Sequence, residues 1–253
     1  MDKINSMLLS YYSRDYIIRT CQYGSKLIAA LLHNKDFQNR FLTFSAALSN
    51  SRAIYRLFDD VIILKFTIRF LQSQDTDQLS RLLGLIKTAA DQLYFPVEHL
   101  AWGAGNNLFK FAESAYWWAF GIRLWACSLM MNFLRGLLKL WKLRTQKQTL
   151  RSNLKEKTNN QASDSQRQVY AYFDARLKEM DTMSFEEKRS HNIKIREIQE
   201  EQIKTILSMV RSGCDFCNAI HYMPANSILW AGKLPLLLEG LFGTVSSIIL
   251  LTS

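Results

Sequence analysis

From Ser114 to Leu134 the chain reads SAYWWAFGIRLWACSLMMNFL, 21 residues in which Arg123 is the one charge. At about 1.5 Å per residue such a helix is ~31 Å long, close to the ~30 Å hydrocarbon core of a bilayer. Trp117, Trp118, Trp125 and Trp141 rim it, and 135–151 carries Arg135, Lys139, Lys142, Arg144, Lys147 and Arg151 with no acid. Apolar run, aromatic rims and cationic flank together predict a membrane element. The same residues admit a buried core helix with Arg123 paired inside a bundle, because Arg at mid-span costs about 2.5–3.5 kcal/mol on insertion.

With 3 Pro and 10 Gly in 253 residues, the chain holds few breakers, and its apolar residues recur at helical spacing. The expectation is an all-α fold: an amphipathic N-terminal region, two hydrophobic membrane-associated helices and a long intervening helix. The divisions expected are 1–112 amphipathic and membrane-remodelling, 113–135 a first span, 136–168 a basic linker, 169–227 a long amphipathic helix and 228–251 a C-terminal span. A net charge of +10 calls for an anionic surface nearby. No zinc-finger spacing or RNA-binding signature is present and the cations gather beside apolar runs, so the anion expected is phospholipid and not nucleic acid. The four cysteines, Cys21, Cys127, Cys214 and Cys217, are too scattered for a disulfide framework. Met1-Asp2-Lys3 opens on an amphipathic pattern rather than an apolar leader.

Residues 14–33 give the cleanest amphipathic helix. Asp15, Arg19, Gln22 and Lys26 form a polar stripe; Ile17, Cys21, Gly24, Ile28 and Leu31 form an apolar row, with Tyr16, Tyr23, Leu27 and Ala30 beside it. That row faces either a neighbouring helix or lipid. A second helix is expected from Asp36 to about Leu71, with Arg52, Arg56, Asp59 and Asp60 on one face. Its end, Val61–Leu71, is apolar on most sides but carries Lys65 and Arg69. It reads equally as a core helix or as an interfacial one whose cations reach headgroups. After a polar break at 72–77, a helix over Gln78–Phe95 is expected to stop at Pro96. Between Lys142 and Arg167 the chain is a linker or a solvated helix extension. Ser184-Phe185-Glu186-Glu187 resembles a capping box and sets the expected start of a helix reaching Ile220.

The stretch Leu234–Leu251 has 18 residues and one charge, Glu239. Gly240-xxx-Thr244 and Gly243-xxx-Ser247 place small side chains where helix backbones can approach closely, in lipid or in a protein core. Candidates for chemistry are few. Cys214, Cys217 and His221 share a helix face, yet a structural zinc wants four ligands and no second cysteine pair exists. Glu98 and His99 are adjacent and so ~100° apart on a helix, suited to satisfying polar groups at a helix start. No phosphate-binding loop, dinucleotide fingerprint, nucleophile elbow or zincin helix occurs. No catalytic residue, metal or cofactor is expected, and the chain reads as a non-enzyme.

Leu93-Tyr94-Phe95-Pro96-Val97-Glu98-His99-Leu100-Ala101-Trp102 resembles the "LYxPxEHxAW" segment of the peroxin-eleven family, gamma type. Asn218-Ala219-Ile220-His221-Tyr222-Met223-Pro224, Leu229-Trp230-Ala231-Gly232-Lys233 and Gly240-Leu241-Phe242-Gly243-Thr244-Val245-Ser246-Ser247-Ile248 are similar to its closing segment. Asp15, Arg19 and Tyr23, with Ser51-Arg52-Ala53 and Arg56-Leu57-Phe58, match its N-terminal helices more loosely. The resemblance spans nearly the whole chain apart from 142–190.

The resemblance implies a multi-pass peroxisomal membrane protein that elongates and remodels the membrane before fission and promotes peroxisome proliferation. It implies self-association, pairing with peroxin-eleven paralogues, and recruitment of tail-anchored fission adaptors and a dynamin-like GTPase. The membrane-inserting helix would use Arg52, Arg56, Leu57, Phe58, Val61, Leu64, Lys65 and Arg69, or would lie at Gln78–Phe95. The basic flank Arg135, Lys139, Lys142 and Arg144 resembles a targeting segment for a peroxisomal membrane protein import receptor, and reads equally as an ordinary membrane flank. Gly240, Gly243, Thr244 and Ser247 would serve helix packing. The resemblance implies cytosolic termini with 135–227 in the lumen. The charge rule implies the reverse, since 95–113 holds Lys110 against Glu98 and Glu113. A second function stays open: an oligomeric metabolite pore with Arg123 and Glu239 lining a path.

Overall fold

The computed structural model describes residues 11–73, 77–108, 113–168, 175–225 and 227–252, with only the backbone described at 12, 154–168 and 175–188. Among them are seven helices and no strand: α1 Tyr11–Leu31, α2 Lys35–Arg56, α3 Asp60–Gln72, α4 Gln78–Gly105, α5 Ser114–Gln168, α6 Ala175–His221 and α7 Leu236–Thr252. The all-α expectation holds. Two compact units divide the chain, one of 1–135 with 207–253 and the other of 136–206.

In the larger unit α1 packs against α7 and α2, and α3 against α4. Asn34 starts α2: its side-chain oxygen accepts from the backbone N–H of Asp36 at 2.9 Å and of Phe37 at 3.4 Å. Those donors have no partner within the helix, which is what an N-cap supplies. Asp77 caps α4 through the Ser80 N–H at 3.3 Å. A small core gathers Ala126, Ala219, Ile220, Met223 and Ala231, with Trp125, Phe216 and Trp230 packed on it. The segment after α6 is tied down over this core: the Trp230 indole donates to the Cys217 carbonyl at 3.0 Å, and Gly232, at φ +71°, donates to the His221 carbonyl at 2.9 Å. Only glycine takes that left-handed conformation without cost.

In the smaller unit the part of α5 beyond 135 continues helical to Gln168, so the stretch from Lys142 to Arg167 is helix. The Lys139 ammonium meets Glu201 on α6 at 2.7 Å. The expected start of the long amphipathic helix at 169 lies outside the described residues.

Four expected boundaries are corrected. The helix expected over Asp36–Leu71 is two, because the Asp59 N–H turns to the Arg56 carbonyl at 3.1 Å and the Tyr11 hydroxyl takes the Tyr55 carbonyl at 2.6 Å. The helix expected to stop at Pro96 runs on to Gly105. Pro96 removes one backbone donor, but Val97, Glu98 and Ala101 beyond it are buried on one face, with Gly103 buried too, and that packing overrides the local preference. Ser184 begins nothing: α6 is helical from Ala175. Finally, no helix among the described residues is long and apolar enough to cross a membrane, so the two-span, multi-pass expectation is not supported. The α7 helix has 17 residues, about 25 Å. The apolar start of α5 is diluted by Arg123, Ser128 and Asn132. Neither topology drawn from those spans is carried further, and Lys110, used in one of them, lies outside the described residues.

Candidate membrane-contact site

The amphipathic pattern of α1 is turned inside out. The polar stripe is interior: Arg19 and Gln22 are buried, while Ile28 and Leu31 of the apolar row are 45% and 63% exposed and Cys21 is exposed. Asp15, Arg19 and Lys26 of the stripe each have a partner on another helix. Arg19 pairs with Asp215 on α6 and donates to the Ser246 hydroxyl at 3.1 Å. Lys26 pairs with Glu239 on α7, which also accepts from the Tyr222 hydroxyl at 2.6 Å. Arg52 holds Asp15 through two nitrogens, at 2.8 and 3.2 Å, and Gln22 at 3.1 Å. Arg56 pairs with Glu98, which is 2% exposed and accepts from the Tyr94 hydroxyl at 2.8 Å.

Burial works against the charge of Arg19 and Arg56, yet both are held more firmly protonated than a free guanidinium. Asp215 and Tyr23 do this for Arg19, and Tyr94 and Glu98 for Arg56. Burial, with Glu98 and with Tyr23 and Glu239 respectively, pushes the Tyr94 and Tyr222 phenols up, so both stay neutral donors. Arg19, Tyr23, Arg56, Tyr94, Glu98 and Tyr222 line a cavity of about 760 Å³.

Outside lies the opposite chemistry. No residue of α3 is buried. Phe58, at the corner before it, is 75% exposed, and Val61, Leu64, Phe66, Ile68 and Leu71 are exposed along it. Lys65 and Arg69 are exposed on the same helix. Leu79, Leu82 and Leu93 extend the apolar surface onto α4. Residues of Phe, Leu and Ile type at this density on a surface mark a contact with something apolar.

The eight residues expected to insert thus separate. Phe58, Val61, Leu64, Lys65 and Arg69 are exposed and Leu57 is half-buried beside them, whereas Arg52 and Arg56 point inward to carboxylates. The shared face of Arg52, Arg56, Asp59 and Asp60 does not exist as one surface, because the chain turns between Arg56 and Asp60. In the basic flank, Arg135 lies 5.2 Å over the Phe70 ring and donates to the Ser80 hydroxyl at 3.2 Å. Lys139 pairs with Glu201, Lys142 is half-buried, and Arg144 is exposed.

Gly240 and Gly243 face α1: a Cβ on Gly240 would come 2.6 Å from the Leu27 nitrogen, and one on Gly243 2.0 Å from the Tyr23 ring. The hydroxyls of Thr244 and Ser247 donate back along α7 to Gly240 and Gly243 at 2.7 and 2.6 Å. Glu98 is not at a helix start, and His99 stands 3.4 Å from Asp60. Cys214 and Cys217 flank the Asp215 that holds Arg19, burial pushes both thiols up, and the His221 ring nitrogen Nδ1 accepts from the Leu234 N–H at 3.1 Å. No metal-holding group of side chains occurs among the described residues. Arg123 is exposed, while Glu239 is matched by Lys26 inside. Sequence reasoning missed Asp215 and Tyr222 as interior partners. The signal for Asp215 was a lone carboxylate amid Cys, Phe and Ile.

The family model of Peroxisomal biogenesis factor 11 (PEX11) matches residues 1–253. Peroxisomal membrane protein 11C of Homo sapiens is 33% identical over 250 residues, covering 96% of this chain and 90% of that protein. Peroxisomal membrane protein 11C of Mus musculus is 31% identical over 255 residues, covering 98% and 92%. No solved structure matches.

Proposed function

We propose, from the premise that this chain belongs to the peroxisomal biogenesis factor 11 family, that it remodels the peroxisomal membrane by lodging α3 in one leaflet. Membership makes it a protein of peroxisome biogenesis, and the names of its relatives put it at the peroxisomal membrane. One observation carries the finer reading: α3 buries nothing in the fold and exposes Val61, Leu64, Phe66, Ile68 and Leu71 beside Phe58. A helix lying ~5–10 Å deep widens the leaflet it enters and favours curvature, while cations on its flank meet headgroups. Moving six half-exposed side chains of this kind out of water stabilises the bound state by about 1 kcal/mol each, ~6 kcal/mol in all before ordering costs.

Copies that self-associate, or join paralogues, sum small bends into a tubule. On the same reading, the elongated membrane then receives tail-anchored fission adaptors and a dynamin-like GTPase, and Arg144 with its basic neighbours engages the import receptor. These partners are carried by the family resemblance. The test is flotation and electron microscopy of the full chain with anionic vesicles. Phe58→Ser/Val61→Ser/Leu64→Ser is expected to weaken binding at least tenfold and abolish tubules. Tubulation unchanged in that variant sinks the reading.

A further inference from the structure

Five cations line the 760 Å³ cavity of the larger unit: Arg19, Lys26, Arg52, Arg56 and Arg211. Four are matched by Asp215, Glu239, Asp15 and Glu98. Among the described residues Arg211 has no carboxylate partner. Asp91, the other acid in the wall, is already taken by Lys87 at 2.5 Å and by the Ser128 hydroxyl. The walls therefore hold one unmatched positive charge. A half-buried guanidinium facing polar space gains from an anion there, because a charge in low dielectric is costly alone and strongly stabilised when paired.

The volume is that of an organic ligand, not of an inorganic ion: ligand sites run about 300–1,000 Å³, against ~30 Å³ for a water. Trp117, Trp118 and Trp125 give flat walls in the same cavity, suited to the organic part of such a molecule. The hydroxyls of Tyr94 and Tyr222 are committed to Glu98 and Glu239, so recognition of the head falls to Arg211.

We propose that this cavity binds one organic phosphodiester carrying a single negative charge, its non-bridging oxygens gripped by the Arg211 fork and its organic part against the tryptophans. A diester carries one charge at neutral pH, which equals the surplus, and its two free oxygens fit a guanidinium bidentately. The shared chemistry has two sources, a phospholipid headgroup and a soluble glycerophosphodiester.

The test is calorimetric titration of the full chain in a neutral detergent with three probes: glycerophosphoglycerol, lysophosphatidylglycerol below its micelle concentration, and decanoate. One-to-one binding of a phosphodiester is expected, weakened at least tenfold by Arg211→Gln and less by Arg211→Lys, which keeps charge but loses the fork. Arg123→Gln, at an exposed position, is expected to change nothing. Binding of the soluble diester identifies a free metabolite as the source; binding of the lysolipid alone identifies a headgroup. The proposal is overturned if neither diester binds, if Arg211→Gln and Arg211→Lys both bind as the parent does, or if decanoate binds and the diesters do not.

Discussion

Arg56 and Glu98 show how a single residue pair decides a corner of the fold. Glu98 is 2% exposed and its second carboxylate oxygen has no partner, so its charge depends on Arg56 and on the Tyr94 hydroxyl. Breaking a buried pair from one side leaves an uncompensated charge and costs about 3–5 kcal/mol. Arg56→Met is therefore expected to lower stability by about 3 kcal/mol, read as a fall in thermal midpoint in detergent. Adding Glu98→Leu in the same chain should restore most of the loss. A double variant as unstable as the sum of its singles would show that the two residues are not coupled. From sequence alone Arg56 looked like a headgroup cation, since nothing local says that the carboxylate 42 positions away will meet it. Phe58, two residues on, is exposed, as the insertion expected of it requires.

Elements were legible where periodicity was strong and illegible where tertiary contacts overrode it. The helix of α1 could be read directly, but not which side faces inward, because the charges that neutralise its stripe sit on α6 and α7. The close approach of α7 to α1 follows from Gly240 and Gly243, and small residues at four-residue spacing pointed to it without naming the partner. Gly240→Ala is expected to cost about 1–3 kcal/mol, because the added methyl meets the backbone of Leu27 rather than a side chain that can swing away. Gly24→Ala, where a Cβ would meet nothing within 4 Å, is expected to be neutral or slightly stabilising. Equal melting of the two variants would show that the α1–α7 spacing is not set by these glycines.

The whole molecule combines a net charge of +10 with an apolar outer face, and two forces on a membrane follow. Basic residues near an anionic surface contribute about 1 kcal/mol each and fade within a Debye length, whereas apolar insertion resists salt. Raising sodium chloride from 0.05 to 0.5 M is expected to weaken binding of the full chain to vesicles with one fifth anionic lipid by tenfold or more. A residual affinity should survive, and Phe58→Ser/Val61→Ser/Leu64→Ser should remove it. Salt-independent binding would place the charge elsewhere than at the lipid surface. The class of fold was legible because so few breakers leave little but helix. The spans are not supported at this scale: aromatic rims and basic flanks accompany α5, yet no helix among the described residues is long and apolar enough to cross.

The interior ties join segments far apart along the polypeptide: Arg19 reaches Asp215 across 196 positions and Lys26 reaches Glu239 across 213. During synthesis α1 thus waits, its stripe unanswered, until Asp215 and Glu239 have been made. A nascent fragment that stops short of Asp215 carries Arg19 and Lys26 without either of the carboxylates that answer them.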